Sequence, residues 1–362
     1  MTAVSAPAAP DRTAAAARPG AAGERARGVA RATTTRGAWW LASLGLLLVV
    51  LLASVLVGSK HLGVGTAFTA LFDPHAGGPA LVVRDLRLPR TVLGLVTGVA
   101  LGVAGALIQA LTRNPLADPG ILGVGTGSSL FVVVAVAFFG ATQVTGYVWW
   151  AMAGAAVVTL VVLVVGSAGR GGGTPARLTL TGVGIGAVLG GVSTGITFLD
   201  PRAFDSMRSW VAGSVSGRPL SVTGEVLPFV VVGLGCAALV SRELNVIALG
   251  DDLANALGGR VVRARVLVIA AVTLLVGAAT AASGPIGFVG LMVPHVARWL
   301  VGPDQRWILA FCLTLSPSLL IAADVVGRVV LHPAEVPAGI VTAFVGAPIL
   351  IALARRTKAS GL

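Results

Sequence analysis

AWWLASLGLLLVVLLASVLVG, residues 38–58, runs for 21 positions without a charged side chain. A helix rises 1.5 Å per residue and a bilayer's hydrocarbon core is about 30 Å thick, so about 20 such residues cross it. Stretches of this kind recur about ten times in the 362 residues and leave little between them. The chain is 56% hydrophobic and 11% charged, with a mean hydropathy of +0.92. A soluble domain carries roughly 25% charged residues. The fold class that follows is an all-α polytopic membrane protein of about ten transmembrane helices. A β-barrel is excluded, because its strands would alternate in character along their length.

The spans are expected at residues 38–58, 91–111, 121–140, 147–166, 178–199, 225–240, 265–282, 286–301, 307–323 and 337–354. Residues 1–37 are rich in Ala, Pro, Thr and Arg with no apolar periodicity, and read as a disordered cytoplasmic tail. The run at 38–58 is too long for a signal-peptide core and lacks a small-residue cleavage site, so it reads as an uncleaved first span. Residues 38–362 then form one ten-helix transmembrane domain, with a cytoplasmic loop at 241–264 and no soluble domain.

With the N-terminus inside and the spans alternating, eighteen Lys/Arg fall on the cytoplasmic side and eight outside. That bias follows the positive-inside rule and puts both termini in the cytoplasm. The net charge of +12 therefore reports topology rather than nucleic-acid binding, since the basic residues are scattered at span ends.

Cys236 and Cys312 both lie inside spans and read as small buried residues; His61, His75, His295 and His332 have no ligand spacing, so no metal site is expected. For His295 the expectation is a structural hydrogen bond to a neighbouring helix. Lys60 and Lys358 are the only lysines and neither follows a glycine, so a phosphate-binding Gly-Lys-Ser/Thr loop is impossible. No span carries a chain of acids that would relay protons; Asp200 and Asp324 fall at span ends, where partial hydration is expected. No catalytic residue and no bound cofactor are expected.

Gly94, Gly98 and Gly102 in one span, and Gly182, Gly186 and Gly190 in another, recur at every fourth position and share a helix face. Tight packing accounts for such faces; helices that slide on one another would use them too. In the 241–264 loop, Leu249, Leu253 and Leu257 recur at i, i+4 and i+8, with Asp251 and Asp252 in the first turn and Gly258 or Gly259 as the stop. This is a short helix, resting on its own protein or on lipid, or docking its apolar face into a partner's groove.

Several motifs in order along the chain resemble one family. They are Arg87-Leu-Pro-Arg90, Gly105-Ala-Leu-Ile-Gln-Ala110, RNPLADPGILGV at 113–124, GPIGFVGLMVPHVAR at 284–298, Asp324 with Arg328, and EVPAGIVTA at 335–343 leading to Gly346-Ala-Pro348. The chain is similar, from about residue 38 onward, to the FecCD-type permeases of ABC importers for iron–siderophore, cobalamin and haem uptake.

The resemblance implies a permease working as a dimer, with a second copy or a paralogue. Cytoplasmic ABC ATPases supply the ATP hydrolysis, and an extracytoplasmic substrate-binding protein delivers the cargo. It implies that Leu249, Gly250, Asp251, Asp252, Leu253, Ala254, Leu257 and Gly258 form the segment that couples to the ATPase. It implies that Arg87, Arg90 and Arg328, on the side the positive-inside rule disfavours, receive carboxylates of the binding protein, a role that suits always-charged, bidentate guanidinium. Snorkelling at the interface is the alternative for those arginines. Thr174 and Pro175 match the inner gate, and the fifth span, with Gly182, Gly186 and Gly190, lines the pathway with the tenth. The expected cargo is a ferric siderophore, with cobalamin or haem as alternatives; a stand-alone secondary transporter is the remoter reading.

Overall fold

The computed structural model describes residues 21–58, 63, 65, 69–70, 73, 77–168, 174–248, 250–256, 258–331 and 333–357; the side chains at 21–32, 79, 175 and 353–357 are not among those described. The ordered elements are helices: α1 (Ala21–Leu56), α2 (Leu88–Thr112), α3 (Val124–Phe139), α4 (Val144–Ser167), α5 (Pro175–Leu199) and α6 (Pro201–Trp210). The second half gives α7 (Leu220–Ile247), α8 (Asp251–Ala256), α9 (Val261–Ser283), α10 (Val289–Val301), α11 (Gln305–Val330) and α12 (Ala338–Thr357). A π-helical turn, Val82–Arg87, runs directly into α2. Among the described residues, seven helices are long and apolar enough to cross a membrane and three shorter helices are also apolar, ten in all.

Most helices start or end a few residues from the expected bounds, and α11 continues to Val330 rather than 323; two further departures have identifiable reasons. α1 begins at Ala21, so a disordered tail reaching residue 37 is corrected from Ala21 onward, and residues 1–20 lie outside those described. Ala and Arg favour helix without any apolar periodicity, which is why hydropathy missed the extension. α7 runs from Leu220 to Ile247 rather than 225 to 240, because its polar ends, such as Ser241-Arg-Glu243, still hold helix.

α2 is the central helix and packs on α7, α9, α10 and α11. Its glycine face meets α11: a methyl group at Gly98 would strike the Pro317 backbone, and one at Gly102 would strike Ser316. At Gly105 it would overlap the Gly290 carbonyl of α10. Here close packing alone explains the spacing.

The shortness of α10 follows from a break at Gly284–Phe288, where Gly284 and Phe288 both have positive φ (74° and 68°). Backbone groups beside the break find partners within the protein, Gly284 N donating to Thr280 O at 2.8 Å. Ser214 N donates to Ser283 O at 2.7 Å, and Gly339 N donates to Gly213 O at 2.9 Å. Irregular backbone inside a membrane survives only where protein or a cavity supplies such partners. His295, in α10, departs from expectation: its Nδ1 is buried without a hydrogen-bond partner among the described residues, and its ring sits edge-on to Trp299 at 4.8 Å.

Candidate functional site

The end of α1 leaves carbonyls that no further helical turn can satisfy. Arginines take them. Arg87 Nη1 donates to Val55 O and Leu56 O, both at 2.8 Å, and Arg328 Nη1 donates to Ser54 O at 2.7 Å and Val57 O at 3.2 Å. Cations at a helix C-terminus also complement its dipole. Arg90 Nε reaches Asp324 Oδ1 and Oδ2 at 2.9 and 2.8 Å, its Nη2 reaches Oδ1 at 2.7 Å, and its Nη1 reaches Glu335 Oε2 at 2.7 Å. Arg328, one turn from Asp324 on α11, donates Nε to the same carboxylate at 3.0 Å.

This network gives the three arginines partners inside the protein that the sequence did not indicate. Arg87, Arg90 and Arg328 are only 5%, 8% and 3% exposed. Their guanidinium bonds tie together α1, α2, α11 and the α11–α12 connection. Asp324 is 1% exposed, so the hydration expected at a span end is absent. A lone buried charge is costly, and one carboxylate between two guanidiniums with carbonyls around them meets that cost. Glu335 was quoted only as part of a motif; in the structure it is the half-exposed member of the cluster.

At the opposite end, Gly250 has φ 107° and its carbonyl accepts from Ala254 N at 2.9 Å, which starts α8. Gly258 (φ 78°) closes it, its N donating to Asn255 O at 3.0 Å, as expected of a left-handed stop. Asp251 pairs with Arg113 at 3.1 Å and with Arg265, fixing the segment to the ends of α2 and α9. Ala254 is the residue buried against the protein, while Asp252 and Leu253 are exposed, Leu253 by 49%. Leu249 and Leu257 lie outside the described residues, so the full stripe is not seen.

α5 is the least enclosed of the long apolar helices. Thr174 is its N-cap, Oγ1 accepting from Arg177 N at 3.4 Å, and Pro175 occupies its first position, so both residues begin the helix. The three glycines do not form a uniform packing face. At Gly182 a methyl group would overlap the Ile121 carbonyl; at Gly186 it would meet Thr126 at ordinary contact distance; at Gly190 it would meet nothing. The helix is therefore pressed against the α2–α3 connection at one end and stands away from α3 at the other.

The gap is a cavity of about 410 Å³ between α3, α5 and α6, with Thr126, Ser129, Ser193, Thr194, Thr197 and Arg208 on its wall. Ser193 Oγ donates to Leu189 O at 2.8 Å and Thr197 Oγ1 to Ser193 O at 2.7 Å, so those oxygens keep lone pairs for the cavity. Sequence reasoning missed both the cavity and α6. The available signal was Asp200-Pro201: Asp200 caps α6, accepting from Arg202 N at 2.7 Å, with Pro at the first helical position.

Comparison with known proteins assigns this architecture. Residues 46–356 match the FecCD transport family. The chain is 47% identical, over 88% of its length and 96% of the relative's, to the ferric enterobactin transport system permease protein FepD of Escherichia coli. It is 38% identical to the iron(3+)-hydroxamate import system permease protein FhuB of Bacillus subtilis, over 88% and 83% of the two chains. With the cobalamin import system permease protein BtuC of Halobacterium salinarum it shares 34% identity, over 92% and 100%. A solved chain described as that of a metal-chelate type ABC transporter, in an inward-facing conformation, superposes with a TM-score of 0.75 over 88% of this chain and 99% of that one, at 24% identity, which speaks to the fold alone. The motifs, the ten apolar helices and these relatives agree: the chain belongs to the FecCD transport family.

Proposed function

We propose that this chain is the membrane-spanning subunit of a binding-protein-dependent ABC importer in the cytoplasmic membrane, and that its cargo is a ferric siderophore. The greater similarity to the relative named for ferric enterobactin than to the one named for cobalamin carries the choice of cargo. The cavity beside α5 is in keeping with it. Hydroxyl oxygens and one guanidinium on an otherwise apolar wall suit a large, oxygen-rich chelate held weakly enough to leave.

In this reading α8 meets a cytoplasmic ATPase, which hydrolyses ATP where this chain has no loop to bind it. Leu253 is its apolar contact, flanked by Gly250, Asp251, Asp252, Ala254 and Gly258. Both termini are cytoplasmic, and a second copy or a paralogue faces α5, with the pathway between the two. Thr174 and Pro175, starting α5 at the α8 end, flank the inner gate. A substrate-binding protein docks at the end that carries Glu335. Its carboxylates compete with Glu335 for Arg90, while Arg87 and Arg328 hold the surrounding backbone in place.

Uptake by a strain lacking its own permease, complemented with this gene and its partner genes, tests the cargo. A panel of catecholate and hydroxamate ferric chelates, cobalamin and haem is offered. Restored uptake of a ferric chelate is expected, and uptake of cobalamin or haem alone would replace the assignment.

A further inference from the structure

We propose that the groove between α7 and α11, at the end of the bundle that carries α8, binds one anionic phospholipid. The lipid phosphate sits between Arg242 and Arg306, and one acyl chain lies along Ala238, Leu309, Ala310 and Leu313. These residues, with Ser241, line an open groove of about 430 Å³.

The helix ends that carry the two arginines are tied together. Arg242 lies near the end of α7 and Arg306 in the first turn of α11. Asn245 joins those helix ends, Nδ2 donating to Asp304 Oδ1 at 3.1 Å and Oδ1 accepting from Gln305 N at 2.8 Å. Asp304 Oδ1 also caps α11 through Arg306 N at 3.1 Å, so this carboxylate is turned to the helix end. Glu243 does not line the groove, and its Oε2 is buried. Among the described residues neither the Arg242 nor the Arg306 guanidinium pairs with a carboxylate. Two guanidiniums without an anion, on joined helix ends, are complementary to a phosphate, which each can grip bidentately.

The depth argues for a lipid rather than free phosphate. Trp39 and Trp299 are exposed at this end, Trp307 stands beside Arg306, and Trp40 Nε1 donates to Ala310 O at 3.1 Å, on the groove wall itself. Tryptophans gather where a span leaves the hydrocarbon. The arginines therefore stand at headgroup level. Leu313, seven residues beyond Arg306, lies about 10 Å further into the membrane. Ser241 Oγ donates its hydrogen to Ala238 O at 2.8 Å and so offers no donor to a phosphate, while Leu309, Ala310 and Leu313 below the arginines offer a chain apolar contact. Basic pockets between spans on a cytoplasmic face bind anionic headgroups in this manner. The proposal rests on the membrane-spanning fold and is independent of the cargo and of the ATPase.

The test uses the purified full-length chain, delipidated in detergent and titrated with phosphatidylglycerol, with native mass spectrometry counting lipid bound per chain. Wild type should hold one phosphatidylglycerol that inorganic phosphate at millimolar concentration does not displace, and should show no such site for phosphatidylcholine. Arg242→Gln with Arg306→Gln should weaken that binding about 30-fold, given the usual contribution of each basic residue near a membrane surface. Leu313→Trp, which fills the chain path and leaves the charges alone, should weaken it as well, and Lys at both arginine positions should keep part of it. Equal phosphatidylglycerol affinity in wild type and the folded Gln variant would overturn the proposal. So would unchanged binding to Leu313→Trp, or displacement by inorganic phosphate, which would leave an anion site with no lipid.

Discussion

Arg90 and Asp324, 234 residues apart in sequence, meet through three hydrogen bonds of 2.7–2.9 Å at the junction of α2 and α11. Asp324 is at the same time the partner of Arg328, so one buried carboxylate is shared by two guanidiniums. That arrangement makes the acid, rather than either base, the element whose loss is felt most.

Asp324→Asn should therefore lower stability by about 3–5 kcal/mol, because it leaves two buried guanidiniums facing an amide. Thermal unfolding of the purified chain reads the change. Removing the charges together, as Asp324→Leu with Arg90→Met and Arg328→Met, should recover part of the loss, and equal melting of wild type and Asp324→Asn would mean that water reaches the cluster.

Glu335 offers a second, gentler test. Glu335→Gln removes the exposed competitor for Arg90 Nη1 and leaves Asp324 in place. Binding of the substrate-binding protein should tighten by up to about fivefold, the ~1 kcal/mol expected of a half-exposed pair, and the gain should shrink in high salt. Weaker binding would instead mark Glu335 as a direct contact.

Leu253→Asp places a charge on the exposed face of α8, where a partner's apolar groove would have to bury it. The chain should still reach the membrane and keep its melting temperature, yet fail to co-purify with its ATPase. Undiminished complex formation would move the ATPase contact away from α8.

The glycines of α5 should separate by position. Gly182→Ala forces a methyl group into the Ile121 carbonyl and should cost on the order of 1–3 kcal/mol. Gly190→Ala meets no atom and should leave the unfolding temperature at the wild-type value or slightly above it. A matching loss at both positions would show that α5 is enclosed along its whole length.

Most of the fold was legible because a bilayer reduces the problem to length and apolarity, and residues 38–58 already meet both conditions. The short α10 was placed within three residues at its start and matched at its end. The Gly284–Phe288 break explained its length, although hydropathy says nothing of which carbonyls a break exposes. Less was legible where charge and depth conflict. Arg87, Arg90 and Arg328 were read through the family resemblance as receivers of a partner's carboxylates; the sequence places Asp324 and Arg328 one turn apart but gives no sign that Arg90 joins them. The cavity beside α5 was illegible for a similar reason. The regular spacing of Gly182, Gly186 and Gly190 records that they share a face, and only the packing shows that this face departs from its neighbour.

That departure gives α5 a fulcrum. It is pressed against Ile121 at Gly182 and more loosely packed towards Leu199, which is 87% exposed. Seventeen residues separate the two, a lever arm of about 25 Å, so a tilt of about 10° at Gly182 swings Leu199 through roughly 4 Å. A displacement too small to disturb the packing at the Gly182 end is thereby magnified at the far end, where the walls of the 410 Å³ cavity lie.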